Sequence, residues 1–156
     1  MNTRRHTSDV EALEAHLLTD IPLARAMALS IIGYDGASLT MAAPLAPNIN
    51  DKGCAFGGSL TSVMTLAGWS LIKLALAACD REGEIYVKDS TIRYFAPIWQ
   101  DFSATAVVAD GDTFEDFFSV IDKRGKGRLR VRCAVRLPEG GDAAILDAQF
   151  VAIAKR

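Results

Sequence analysis

The chain has 156 residues, half of them hydrophobic (50%), and a formal net charge of -2 at pH 7. This length suits one domain with its own core and leaves no room for a second. A charge so close to zero gives no electrostatic reason to expect a nucleic acid or an anionic membrane as partner. Because a mean hydropathy of +0.17 is high for a small monomer, we expect an oligomer that covers an apolar face.

The three cysteines, Cys54, Cys79 and Cys133, are widely separated and form no CxxC spacing. This pattern disfavours a disulfide framework and a zinc site, so we expect no metal. The N-terminus has basic residues but turns acidic and amphipathic before any apolar run, so no secretory signal is visible. We therefore expect a cytoplasmic protein.

The first third of the chain predicts short helices followed by a hairpin. Ser8 and Glu11 have the spacing of a capping box, and apolar residues at helical intervals predict a helix over 8–19. A second short helical piece starts at Ile21. Asp35-Gly36 predicts a tight turn between strands over 28–34 and 38–43, and the prolines and asparagines of 44–53 predict a loop.

The segment 59–79 is apolar on nearly every side and predicts one long helix. Its length alone would allow a membrane span. Two features favour a buried central helix instead. Insertion of Lys73, near the middle of the segment, into a membrane would cost about 2.5 to 3.5 kcal/mol on insertion scales, and the flanks are strand-like.

The remainder predicts strands with one helix among them. The predicted elements are strands 84–95 and 102–109, a helix from Thr113 to 123 or 124, and strands 129–137 and 145–154. One long apolar helix with a hairpin before it and about four strands after it predicts an α+β fold. An antiparallel sheet would then wrap around the long central helix.

Gly57 and Gly58 stand where the central helix begins. Glycines there allow close approach to the backbone, and the unpaired N–H groups with the positive end of the helix dipole favour an oxygen that gains negative charge. This describes an oxyanion hole. The alternative is that the two glycines only allow tight packing of the helix start.

Three motifs carry a resemblance to a known family: N-x-N-D-K-G-x-x-F-G-G-S-L from Asn48, T-L-A-G-W from Thr65, and K-D-S-x-I-R-Y-x-x-P from Lys88. They resemble the YiiD C-terminal-like family of hotdog thioesterases, whose domain occurs alone or fused behind an acetyltransferase-like domain. The resemblance implies a single hotdog domain over 1–156, with an N-terminal helical extension over 1–22. It also implies a homodimer or homotetramer whose site lies at the subunit interface.

The resemblance also implies roles for particular residues. Asn50 stands seven residues before Gly57, where related thioesterases carry a catalytic Asn or Asp, and is predicted to hold a water or a substrate oxygen; the alternative is a loop residue that caps its own backbone. Asn48 is a weaker candidate for substrate binding. Phe56 replaces a frequent histidine, and Thr65 replaces a frequent helix carboxylate.

Thr65 cannot deprotonate water at neutral pH, so Asp51 or Asp89 is the candidate to substitute as the base for hydrolysis; the alternative is that each is a solvated loop or strand residue. Phe56 and Asp89 are also candidates for substrate binding. The only histidines, His6 and His16, lie near the N-terminus, which disfavours Ser-His-Asp, Cys-His and histidine-dependent dehydratase chemistry.

Three functions remain open. The first is a thioesterase acting on acyl-CoA or acyl carrier protein, with coenzyme A or phosphopantetheine only as part of the substrate. The second is a malonyl-thioester decarboxylase, which needs an oxyanion hole but no base. The third is a non-catalytic acyl-thioester sensor.

The last candidate binding site in the sequence is a run of basic residues. Arg128 and Arg130 follow the sequence Lys123-Arg124-Gly125-Lys126-Gly127 and are candidates to dock coenzyme A phosphates or an acidic carrier protein. The alternative is a solvated outer face of the sheet.

Overall fold

A computed structural model describes residues 3–155; residues 1 and 2 of the predicted extension, and residue 156, lie outside the described residues. The helices are α1 (Thr3–Asp20), α2 (Pro22–Ala26), α3 (Gly57–Ala78) and α4 (Phe114–Arg124). The strands are β1 (Ser30–Tyr34), β2 (Ser38–Ala43), β3 (Gly83–Tyr94), β4 (Phe102–Val108), β5 (Lys126–Arg136) and β6 (Asp142–Ala154). These elements confirm the predicted α+β architecture.

The six strands form one antiparallel sheet in the order β1-β2-β4-β5-β6-β3. α3 contacts five of these strands and lies in the concave side of the sheet. Its length and composition would allow it to cross a membrane, yet residues such as Val63, Ala67 and Leu71 are fully buried under the sheet. α3 is therefore the central core helix that its sequence predicts.

Local chemistry fixes the turns that the sequence predicts. The Asp35 carboxylate accepts hydrogen bonds from the backbone N–H groups of Ala37 and Ser38 in the first hairpin. Thr113 accepts the N–H of Asp116 and so caps α4. Gly125 ends α4 in the left-handed conformation, with φ of 70°, which glycine adopts without strain.

The N-terminal helix is longer than predicted. α1 begins at Thr3, not at residue 8, so Ser8 lies inside the helix and the predicted capping box is wrong. The Arg5 guanidinium donates to the carbonyl of Ala77 and to the carboxylate of Asp80 at the end of α3. This tertiary contact holds the first turn of α1 in place.

The two edge strands are β1 and β3. The Glu14 carboxylate accepts the backbone N–H of Ile31 in β1 at 2.7 Å. At the start of β3, Lys73 Nζ donates to the Gly83 carbonyl and Trp69 Nε1 to the Ile85 carbonyl. Side chains from the helices thus cover part of each edge, which is how many proteins limit unwanted strand pairing.

Candidate functional site

The loop that leads into α3 is tied down by Asn48. Its side chain is 1% exposed, and its Nδ2 donates to the carbonyls of Met27 at 3.0 Å and Pro44 at 2.7 Å. Its backbone carbonyl accepts the N–H of Phe56, the residue before α3. Asn48 therefore holds the loop against the body of the protein, and these contacts support a structural role for its side chain.

Asn50 uses its side chain within its own loop. Its Oδ1 accepts the N–H of Lys52 at 2.8 Å, and its Nδ2 donates to Cys54 Sγ at 3.2 Å. The Asn50 N–H also donates to the Cys54 carbonyl. These contacts form the Asx turn that is a common use of asparagine, and Cys54 packs as a buried residue. The catalytic role of Asn50 stays a prediction.

The two glycines at the start of α3 have different surroundings. A Cβ atom on Gly58 would lie 2.4 Å from Phe56 Cε1, so the Phe56 ring occupies the space beside Gly58. A Cβ atom on Gly57 would lie 3.7 Å from the nearest atoms, which belong to the Tyr94 ring and hydroxyl. Gly58 therefore serves packing, whereas Gly57 presents an approachable face.

A pair of hydroxyl groups borders Gly57. Thr61 Oγ1 donates to the Gly57 carbonyl at 3.0 Å, and the Tyr94 hydroxyl lies 2.8 Å from Thr61 Oγ1 and 3.2 Å from the same carbonyl. Sequence reasoning missed both residues. Thr61 could have been found one turn after Gly57, and Tyr94 is part of the K-D-S-x-I-R-Y-x-x-P motif.

Thr65 lies on the side of α3 that faces β3. Thr61, Thr65 and Trp69 are spaced by four residues and so share one face of the helix. Thr61 contacts Tyr94 of β3 and Trp69 donates to the Ile85 carbonyl of β3, so Thr65 lies between two points of contact with that strand. This row contains no carboxylate.

The two candidate bases have different surroundings. The Asp51 carboxylate lies in the loop, highly exposed, and pairs with Lys52 Nζ at 3.0 Å. Asp89 pairs in register with Gln149 after an irregularity between Val87 and Asp89. Because the adjacent Phe150 packs against Gly68 of α3, Gln149 and Asp89 face the opposite, outer side of the sheet.

The outer side of the sheet carries a groove of about 520 Å³, lined by Asp89, Arg130, Arg132 and Asp147 among others. The hydrogen bond from Arg130 lowers the pKa of Asp112, and the hydrogen bond from Arg132 lowers the pKa of Asp147. These bonds neutralise two arginines of the basic run. Arg128 is exposed on the same face.

Four large apolar residues in the segments next to the start of α3 are more than half exposed: Ile49, Phe56, Tyr94 and Trp99. Such a cluster is more than the scattered apolar residues of an ordinary surface. It indicates a face that binds an apolar group or another protein.

The chain belongs to the family described as "Putative thioesterase (yiiD_Cterm)", whose model matches residues 10–154. The match includes the whole loop, α3 and β3. This finding confirms the resemblance that the three motifs indicated.

Solved structures agree with this membership. A protein of unknown function from Chlorobaculum tepidum is 27% identical, with a TM-score of 0.87 and 94% of each chain covered. A putative thioesterase from Shewanella oneidensis is 26% identical, with a TM-score of 0.83, covering 94% of this chain and 99% of that one.

Thioesterase HI1161 from Haemophilus influenzae is 12% identical, with a TM-score of 0.71 over 93% of this chain and 90% of that one. At this identity the likeness shows the fold alone. The predicted hotdog fold, a sheet around a central helix, is confirmed.

Proposed function

We propose that this protein hydrolyses the thioester of an acyl-CoA or an acyl carrier protein at the start of α3. The observation that carries the proposal is the N-terminus of a 22-residue helix that begins at Gly57, where an added Cβ would meet nothing closer than ordinary van der Waals contact. The first helical bond runs from the N–H of Leu60 to the carbonyl of Phe56, so the N–H groups of residues 57–59 lie ahead of it. They are suited to hold the thioester oxygen as it gains charge.

Hydrolysis also needs a base to activate water. Asp51 is the candidate on the loop, and a rearrangement of its exposed pair with Lys52 would be needed to bring it closer. Asn50 is the candidate to orient the water, which would require exchange of its present bonds to Lys52 and Cys54.

Malonyl-thioester decarboxylation is the second candidate. It is favoured by the hydroxyl groups of Thr61 and Tyr94 beside Gly57, neither of which is a base at neutral pH. The bond between the carboxylate carbon and the α carbon breaks, CO2 leaves, and the electron pair passes to the thioester oxygen as an enolate. A proton then adds to the α carbon.

We further propose that a second copy of this chain covers the open part of β3. The N–H of Phe95 donates to the carbonyl of Ala143 in β6, so by alternation the backbone groups of Ser90, Ile92 and Tyr94 face away from β6. Trp69 and Lys73 cover the earlier part of this edge.

The function is tested by incubating the pure protein separately with malonyl carrier protein and with medium-chain acyl-CoA, followed by mass spectrometry. Free thiol from either substrate supports hydrolysis, and acetyl carrier protein supports decarboxylation. Gly57→Ala should lower turnover while the fold persists, because the added methyl group meets only ordinary contacts. Stoichiometric binding without any turnover would instead indicate a sensor.

The assembly is tested with Ser90→Pro, which removes one N–H from the open edge, and with Ser90→Ala as the matched control. Proline at this exposed edge position takes no bond from the β3–β6 ladder. Light scattering should give a dimer mass for the control and a monomer mass for the proline variant. Equal masses would contradict pairing through this edge.

A further inference from the structure

We propose that Tyr94 is a catalytic residue of this site, a hydrogen-bond donor to the substrate's thioester oxygen, and that Thr61 is the residue that positions it. The inference rests on the proposed function and adds a side-chain donor to the backbone N–H groups of α3. The Tyr94 hydroxyl lies beside Gly57, the more approachable of the two glycines at the start of α3.

The position of the hydroxyl follows from the space around Gly57. The place of the missing Cβ is bordered by Tyr94 Cε1, Cζ and hydroxyl oxygen, all at 3.7 Å. The Tyr94 hydroxyl therefore stands directly beside Gly57, at the distance of an ordinary van der Waals contact. The corresponding place at Gly58 is filled by Phe56, so Gly57 and Tyr94 define the approach.

The hydrogen bonds around Tyr94 leave its hydroxyl free to donate to a new acceptor. Thr61 donates to the Gly57 carbonyl, and Tyr94 can then donate to Thr61 Oγ1 at 2.8 Å or to the Gly57 carbonyl at 3.2 Å. Without the Tyr94 proton, Thr61 and the Gly57 carbonyl remain bonded to each other. The Tyr94 proton can therefore turn to a substrate oxygen by rotation of the hydroxyl alone.

Thr61 can support the Tyr94 hydroxyl once it has rotated toward the substrate oxygen. When the Tyr94 proton turns to the substrate, the single Thr61 hydroxyl proton can leave the Gly57 carbonyl and be donated to the Tyr94 oxygen across the same 2.8 Å. Such a chain of donors strengthens the outer hydrogen bond, because each bond polarises the next. The side chain of Tyr94 is 53% exposed, so a ligand reaches its hydroxyl without displacing a core residue.

The test compares Tyr94→Phe with Tyr86→Phe. Tyr86 lies on the same strand and its hydroxyl also has a partner, Glu84 at 2.7 Å, so it is a matched control for loss of a bonded phenol. With the substrate that wild type consumes, Tyr94→Phe should lower kcat by about 100-fold with KM changed less than 3-fold, as for loss of an oxyanion donor. Tyr86→Phe should keep wild-type kcat.

Two ligands separate a catalytic from a merely structural role. Tyr94→Phe should bind an S-alkyl thioether of coenzyme A, which lacks the carbonyl oxygen, as tightly as wild type does. It should bind the matching trifluoromethyl ketone, whose hydrated form mimics the oxyanion, at least 10-fold more weakly. Thr61→Val should show a smaller loss of kcat, and Thr61→Ser should retain most of it.

Each other outcome overturns the inference. If wild type turns over a thioester and Tyr94→Phe has a kcat within 3-fold of it, the proposed function stands and Tyr94 is not a donor. If the variant loses affinity for both ligands equally, Tyr94 is structural. If wild type neither turns over a thioester nor binds the ketone, the proposed function itself fails and the role of Tyr94 fails with it.

Discussion

The contact between Phe56 and Gly58 predicts a strong energetic coupling between the two positions. A methyl group on Gly58 would lie 2.4 Å from the Phe56 ring, so the ring of the Gly58→Ala variant must leave. Phe56 is 54% exposed. The Phe56 side chain has roughly 200 Å² of surface, and a little under half of it is covered. Exposing that covered surface would cost at most about 2 kcal/mol of stability.

Alanine is also the better helix residue, by about 0.5 to 1 kcal/mol. We therefore expect Gly58→Ala to lower the free energy of unfolding by about 1 kcal/mol in the wild-type background. In a Phe56→Ala background, where no ring is displaced, the same change should raise it by up to about 1 kcal/mol. The coupling energy between the two positions should be close to 2 kcal/mol.

The assay is urea unfolding of all four proteins at one protein concentration, because an oligomer's apparent stability depends on concentration. If Gly58→Ala changes the free energy of unfolding equally in both backgrounds, the Phe56 ring does not occupy the space beside Gly58. Gly58 would then be as approachable as Gly57, and the assignment of separate roles to the two glycines would be refuted.

Three further predictions concern other parts of the chain. Burial raises the pKa of Cys133 to about 12, so a thiol reagent at pH 8 should modify the exposed Cys79 at once and Cys133 only after denaturant is added; rapid modification of Cys133 would contradict its burial. The hydrogen bond from Arg132 lowers the pKa of Asp147 in the folded state, so this group stabilises the protein above roughly pH 4 and ceases to do so as the pH falls through the lower folded value. The melting temperature of Asp147→Asn should therefore fall less steeply than that of wild type as the pH is lowered below roughly 4. An equally steep fall in both proteins would show that the Arg132–Asp147 pair contributes nothing to stability. Asn50→Ala should lower both stability and turnover, since it removes the bonds to Lys52 and Cys54, and full activity in this variant would exclude a catalytic role for Asn50.

The sequence by itself determined the features that depend on neighbours along the chain. The Asp35 turn, the Thr113 cap, the left-handed Gly125 and the apolar run of α3 all follow from local backbone chemistry and periodicity, and the structure has each of them. The three motifs likewise identified the family that the chain belongs to.

Only the tertiary structure decided which side chains meet at the site. Asp89 faces away from α3 because of one irregularity in β3, which reverses the alternation of sides that a regular strand would keep. Tyr94 reaches Thr61 although 33 residues separate them, since β3 returns beside the start of α3. Gly57 and Gly58 look equivalent in sequence, but the Phe56 ring fills the space beside Gly58, whereas Gly57 has only an ordinary contact with Tyr94.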